Sequence, residues 1–238
     1  MPHLHHLTLS PLFLLFHMPL LTLAEQFVFG AGCFWGMQHN FILLEQQQWK
    51  RTSPALTTFA AYFGGNTTNK NACYYNMHDI AVYSEEGHGE VVALDIPSLS
   101  HARDALKVYF NTFVTAGNDG IWTRGDYYDV GPSYRSMIGV PGGIHNNTIM
   151  NVVRAADPHN TTFVEGRGSD ADTLGLNKVW VYNTAEYPIH QAELCLQFHD
   201  LQGYPKYATE YHALKSVLEH DGRLHSTSCP LPEIDSCL

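Results

Sequence analysis

One thiol set among glycines and aromatic rings is the strongest chemical feature of the sequence: Gly30-Ala31-Gly32-Cys33-Phe34-Trp35-Gly36. Glycines permit unusual backbone angles and let a substrate approach the sulfur closely. The stretch follows Phe27-Val28-Phe29, which reads as a strand. It leads into a segment where Phe34, Met37, Phe41 and Leu44 recur at helical spacing. A cysteine at such a strand-to-helix turn meets the exposed N–H groups and the positive dipole end of the helix. Both favour thiolate over thiol, and so nucleophilic attack. Phe34 and Trp35 are expected to wall an apolar pocket over the sulfur. The same residues also suit a buried cysteine acting as a small hydrophobe, and the stretch alone leaves both roles open.

The elements that must hold this thiol alternate between strand and helix. The first helix is expected over about 34–48. Residues 57–63 then read as a strand closed by Gly64-Gly65. This β-α-β unit places Cys33 at the C-terminal end of its first strand, an edge where ligands often bind. A polar loop, 66–86, carries Cys73. Val91-Val92-Ala93-Leu94 reads as the third strand, and Pro97-Ser98 marks a helix start. Ala102, Ala105, Leu106, Tyr109, Phe110 and Phe113 give that helix one apolar face. After a glycine-rich loop (Gly117, Gly120, Gly125), residues 134–140 read as the fourth strand. Two such units on one sheet predict an α+β fold, a ferredoxin-like split β-α-β two-layer sandwich. Added C-terminal helices are expected over 144–155, 185–199 and 207–220, with a short strand at 179–181 and a coil tail.

The 238 residues, 45% hydrophobic and 12% aromatic, suffice for one domain with a sizeable core. Charged residues make up only 15% and the net charge is −10, so no basic stripe exists to bind nucleic acid. The fifteen histidines are scattered, and neither HExxH nor CxxC occurs, so no metal and no cofactor is expected. Residues 1–24 are rich in Leu, Phe and Pro around Leu12-Phe13-Leu14-Leu15-Phe16 and end in Thr22-Leu23-Ala24. They read as a signal peptide. The domain is expected at 25–222 and a flexible tail at 223–238. Sequons at Asn66, Asn146 and Asn160 are compatible with a secretory destination; the alternative is a cytoplasmic protein with an unprocessed extension. Five cysteines, Cys33, Cys73, Cys195, Cys229 and Cys237, exclude complete pairing within one chain.

Gly32-Cys33-Phe34-Trp35-Gly36 resembles the GCFWG signature of the A-type peptide methionine sulfoxide reductases. Tyr62-Phe63-Gly64-Gly65 is similar to the family's Y-A-G-G turn, and Gly87-His88-Gly89-Glu90 to its G-H-A-E segment. Asp129 to Ser136 resembles D-x-G-x-Q-Y-R-S. Ala185-Glu186-Tyr187 with His190-Gln191 resembles A-E-x-Y-H-Q with one residue inserted. The matches fall in the family's order.

The resemblance implies thiol-dependent reduction of methionine-S-sulfoxide, free or in a peptide. A sulfoxide sulfur becomes electrophilic when its oxygen is protonated or strongly hydrogen-bonded, so the site needs a thiolate and an acid. The resemblance assigns these to Cys33 and Glu90. A carboxyl in an aromatic-lined pocket can hold its proton near neutrality. Tyr62 and Tyr134 would hydrogen-bond the sulfoxide oxygen, Asp129 would order that polar side, and Phe34 with Trp35 would hold the substrate's methyl group. Attack leaves Cys33 as a sulfenic acid. The resemblance further implies that Cys229 and then Cys237 recycle it through disulfides, for a thioredoxin-like or other thiol reductant; the alternative is a permanent Cys229–Cys237 bridge. Cys195 is expected in an apolar helix, and Cys73 receives no role. The implied partners are oxidised proteins or peptides carrying methionine sulfoxide. The competing reading is a non-catalytic methionine sulfoxide binding protein on the same fold. A papain-like protease fails on the local cysteine signature.

The sequence departs from the family pattern at several places. Gln38 stands for Glu, Gly89 for Ala, and Pro132-Ser133 for a pair ending in Gln. Phe63 replaces a small residue beside Tyr62 and is expected to narrow the pocket. Gly139, Pro141, Gly142 and Gly143 interrupt what should be a plain strand.

Overall fold

The structure, a computed structural model, describes residues 24–66, 72–75, 82–116, 120–204 and 206–230. The proposed signal peptide lies outside these residues apart from Ala24, and Cys237 also lies outside them. Among the described residues no helix is long and apolar enough to cross a membrane.

The first half of the chain follows the expected order. Strand β1 (Glu25–Gly30) runs into helix α1 (Phe34–Leu43), whose last turn widens into a π-helix over Leu44–Gln48. Strands β2 (Phe59–Phe63) and β3 (Gly89–Ile96) follow, then helix α2 (Leu99–Phe110). Ser98 caps α2 by accepting a hydrogen bond from the His101 N–H. A hairpin, β4 (Phe113–Ala116) and β5 (Ile121–Arg124), stands apart from the main sheet. Strand β6 (Met137–Val140), helix α3 (Asn147–Ala156), and strands β7 (Thr162–Glu165), β8 (Lys178–Asn183) and β9 (His190–Gln191) lead to helix α4 (Thr209–His220).

The sheet order is β7-β8-β6-β1-β3-β2-β9. At its centre β3 lies between β1 and β2, antiparallel to both, and β6 pairs antiparallel with the other side of β1. That is the split β-α-β arrangement. Its extensions are β8 and β7, joined in parallel beyond β6, and β9 on the β2 edge. Alternation along the strands sorts the two faces. Phe27, Phe29, Tyr62, Val92, Leu94 and Ile138 pack against the helices. Val28, Ala61, Phe63, Val91, Ala93 and Met137 form a smaller cluster on the opposite face with Tyr182.

Three expectations are corrected. Residues 185–199 are not a helix: they hold β9 and one short 3-10 turn, Leu194–Leu196. Pro188 interrupts the segment, and the buried Gln197 amide donates to the Ala60 and Ala192 carbonyls and so fixes an extended path. Cys195 therefore lies on a turn, and it is disulfide-bonded. Residues 223–230 are tied down, with Leu224 buried, His225 bonded to Gln191, and Cys229 bridged to Cys73.

The departures at Phe63 and Gly139 fit each other. Phe63 points to the face away from the helices and leaves the pocket unnarrowed. A Cβ on Gly139 would stand 2.8 Å from the Phe63 ring, so the strand can hold that ring only with glycine there. Gly89 similarly makes room for Met137, whose Cε would lie 2.2 Å from an added Cβ. Gln38 spans α1 to the 197–198 segment, donating to Gln197 Oε1 (2.9 Å) and accepting from the Phe198 N–H (2.7 Å).

Candidate active site

Cys33 caps the N-terminus of α1 and opens onto a cleft of about 690 Å³. It is the free thiol among the described residues. The preceding Gly32 has φ 90°, and a Cβ there would fall 2.4 Å from Asp126, so glycine is required twice over. The Gly32 N–H donates to the Tyr134 carbonyl at 3.0 Å, and the Cys33 N–H donates to Asp126 Oδ2 at 2.8 Å.

Glu90 faces the helices from the start of β3, directly across the strand pair from Tyr62. Its Oε2 accepts from the Phe34 N–H (3.1 Å) at the first turn of α1, and its Oε1 accepts from the Tyr83 hydroxyl (3.1 Å). Burial pushes its carboxyl up to about 8, outweighing the stabilisation of the charge by those two donors. The group is therefore protonated near neutrality.

The thiol behaves differently from the expectation. Burial, followed by the Glu90 charge, pushes Cys33 well above the usual thiol range, and Asp129 and Asp126 act in the same direction. Only the Trp35 N–H at the helix start opposes them. The dipole effect is real but is overruled by desolvation and neighbouring carboxylates. Cys33 as a residue is half-buried and lines the cleft.

Phe34, Trp35 and Tyr134 line the cleft as expected. Trp35 is anchored by its indole N–H on the Leu196 carbonyl (3.0 Å) and by stacking on His199 at 4.0 Å. Tyr134 sits on a 3-10 turn that Pro132 starts. Asp129 also lines the cleft, with its carboxyl raised to about 6, first by burial and then by Asp126. Buried Arg124 holds this loop by donating to the backbone carbonyls of Asp126 and Asp129 while pairing with Asp172.

Tyr62 is placed elsewhere. It is fully buried, outside the cleft, and its hydroxyl donates to Glu193 Oε2 at 2.7 Å. Two other tyrosines stand nearer the site: Tyr83 donates its hydroxyl to Glu90, and Tyr74 lies in the cleft wall. Glu193 joins the two parts: its Oε1 accepts from the Tyr74 N–H (2.8 Å), while the Tyr62 ring stacks on Tyr83 at 4.4 Å. Tyr74, Tyr83, Asp126 and Glu193 escaped the sequence reading because no periodicity marks the loops that carry them. The Asp-x-x-Asp spacing of 126 and 129 was the available signal.

Cys229 is not free to act as a resolving thiol. It is bonded to Cys73, 156 positions away in sequence, which gives Cys73 a partner and ties the tail to the Tyr74 segment. Cys73, Glu193 and Cys229 form a grouping of ligand-type atoms, but the two sulfurs are bonded to each other.

The peptide methionine sulfoxide reductase family model matches residues 25–165, more than half of the chain. The MsrA enzyme of a Nostoc species is 30% identical over 115 residues, 48% of this chain and 59% of that protein. That of Salinispora tropica is 34% identical over 112 residues, covering 47% and 42%. The matched stretch thus spans about half the length of these curated relatives. Methionine sulfoxide reductase A of Corynebacterium diphtheriae aligns at 15% identity over 84% of this chain and 76% of its own, with a TM-score of 0.41. With that family model covering more than half of its residues, the signature cysteine at the start of α1 included, the chain belongs to the peptide methionine sulfoxide reductase family.

Proposed function

We propose that the chain reduces methionine-S-sulfoxide through Cys33, with Glu90 as the general acid. The observation that carries this reading is the Glu90 carboxyl, buried at the mouth of α1 and raised to about 8, in the same cleft as a free thiol. Cys33 sulfur attacks the sulfoxide sulfur as Glu90 passes its proton to the oxygen. The S–S bond so formed and the S–O bond then break together as the hydroxyl passes to Cys33, so methionine leaves in its reduced form and Cys33 is left as a sulfenic acid. A thiol then condenses with it, forming a disulfide and releasing water. Phe34 and Trp35 form the apolar seat for the methyl group, and Tyr134 and Tyr74 supply hydroxyls to the polar side.

The resetting thiol in this scheme comes from an external thioredoxin-like or small dithiol reductant. A route through Cys229 and Cys237 requires the Cys73–Cys229 bridge to be opened first. That bridge also supports an oxidising, secretory destination. The test is loss of oxygen from a methyl-S-sulfoxide with dithiothreitol, compared with the R epimer and with Cys33→Ser. Turnover unaffected by C33S, or no turnover at all, sinks the proposal. The raised thiol favours one competing reading, a protein that binds methionine sulfoxide without reducing it; binding with the oxygen retained would support that reading.

A further inference from the structure

The mouth of the cleft has a composition that its interior does not explain. Tyr127 is 62% exposed, Tyr128 72% and Tyr204 58%, and all three line the cleft that holds Cys33. Single exposed rings are ordinary, but a group of them gathered around one cleft marks an interaction site. Two of them are presented deliberately: Asp126 Oδ1 accepts from the backbone N–H groups of Tyr128 (3.1 Å) and Asp129 (3.3 Å), making a tight turn with the rings at its tip. Their centroids are 4.3 Å apart, and the Tyr127 hydroxyl donates to the Tyr128 oxygen at 3.1 Å. Tyr204 comes from a separate loop bounding the same cleft.

Charge adds the second observation. The cleft lining includes the carboxylates of Asp126 and Asp129 beside the protonated Glu90 and, among the described residues, contains no lysine, arginine or histidine. The chain as a whole carries −10. An acidic cleft on an acidic protein draws cations and repels anions, and the faces of exposed tyrosines are themselves cation sites.

We propose that the Tyr127–Tyr128 turn and Tyr204 form a docking rim for a lysine or arginine beside the oxidised methionine, so that basic peptide segments are the favoured substrates. This rests on Cys33 being the reducing centre. The aliphatic stem of such a residue packs on one ring while its charged head meets the π-face and the Asp126–Asp129 side. Among the described lining residues an acidic neighbour would face carboxylates with no cation to answer it.

The test uses three peptides of equal length with methionine-S-sulfoxide flanked by lysine, alanine or glutamate. Expected kcat/KM falls in that order, with lysine over glutamate by about tenfold, the size that an exposed cation–π contact plus a screened charge pair allows. The ratio should shrink at high salt. It should also shrink in Tyr127→Ser/Tyr128→Ser and, separately, in Tyr204→Ser; these are substitutions at exposed rings. Equal kcat/KM for the lysine and glutamate peptides, or a ratio untouched in both variants, overturns the rim. Dissociation constants of the same peptides, measured by calorimetry, keep the two ideas apart. A protein that reduces none of them but still ranks them lysine over glutamate sinks the reductase reading and keeps the rim. One that reduces all three alike does the reverse.

Discussion

Replacing Glu90 by Gln keeps the outline of the side chain and removes the transferable proton. With the carboxyl at about 8, roughly nine molecules in ten carry that proton at pH 7. The Cys33 thiol titrates higher still, raised by burial first and by Glu90 next. Between the two ionisations the pair holds a single proton, and reaction proceeds from the arrangement with that proton on Glu90 and the charge on sulfur. Wild-type kcat/KM should therefore rise with pH through about 8 and fall only where the thiol itself ionises, both limbs belonging to the pair. General acid catalysis contributes about 10²–10⁴-fold, and E90Q should lose that much at pH 8. It should also lose the limb near 8. Because the glutamate charge no longer opposes the thiolate, iodoacetamide should alkylate Cys33 with a lower pH midpoint in the variant. Stopped-flow single turnovers and alkylation rates across pH 5–10 read both effects. Activity within about tenfold of wild type at pH 8, or an unmoved alkylation midpoint, would refute the assignment.

Glu90 should also show itself in stability. Its folded carboxyl is raised from 4.5 to about 8, so the unfolded chain releases that proton first. The cost begins above pH ~4.5, grows until about pH 8 and amounts to a few kcal/mol; urea unfolding should find E90Q gaining relative stability from pH 5 to pH 9. Glu193→Ala should strand the buried Tyr62 hydroxyl, lower the unfolding free energy measured in urea by about 1–3 kcal/mol, and slow turnover by loosening Tyr74. Gly139→Ala should cost about 1–3 kcal/mol through its clash with Phe63, and a double-mutant cycle with Phe63→Ala should recover part of the loss. Cys229→Ser should lower the thermal midpoint under non-reducing conditions, by about 2–5 kcal/mol of stability, with no such effect once the wild-type bridge is reduced.

The central sheet was legible because its signals are local. Phe27-Val28-Phe29, Val91 to Leu94 and the apolar stripe of α2 each announce their element, and their alternation along the chain points to the split β-α-β order. Cys33 and Glu90, which the structure brings to one cleft, were legible through the contiguous motifs around them. Tyr62 was misread because a strand residue beside a turn can serve either face or either end. Only the Glu193 carboxylate, 131 positions away, shows that its hydroxyl is already engaged. Residues 185–199 misled for a related reason: their apolar spacing suits a helix, but an open sheet edge at β2 and the Gln197 amide take the backbone instead. The thiol's proton affinity was hidden altogether, since the helix start is visible in sequence and the carboxylates that oppose it are not.

The interlocked Phe63 and Gly139 make the order in which substitutions can arrive one-directional. A chain with any side chain at 139 cannot seat a phenylalanine at 63 in this packing, whereas glycine at 139 beside a smaller residue leaves only a gap. The glycine must therefore come first or together with the ring, and once the ring is in place the way back through 139 is closed. Gly89, in the strand that carries Glu90, also stands against Met137 of β6, but the atom an added Cβ would meet there is the flexible end of that side chain, so it is the Phe63–Gly139 pair that sequence exchange with relatives would have to move as a unit.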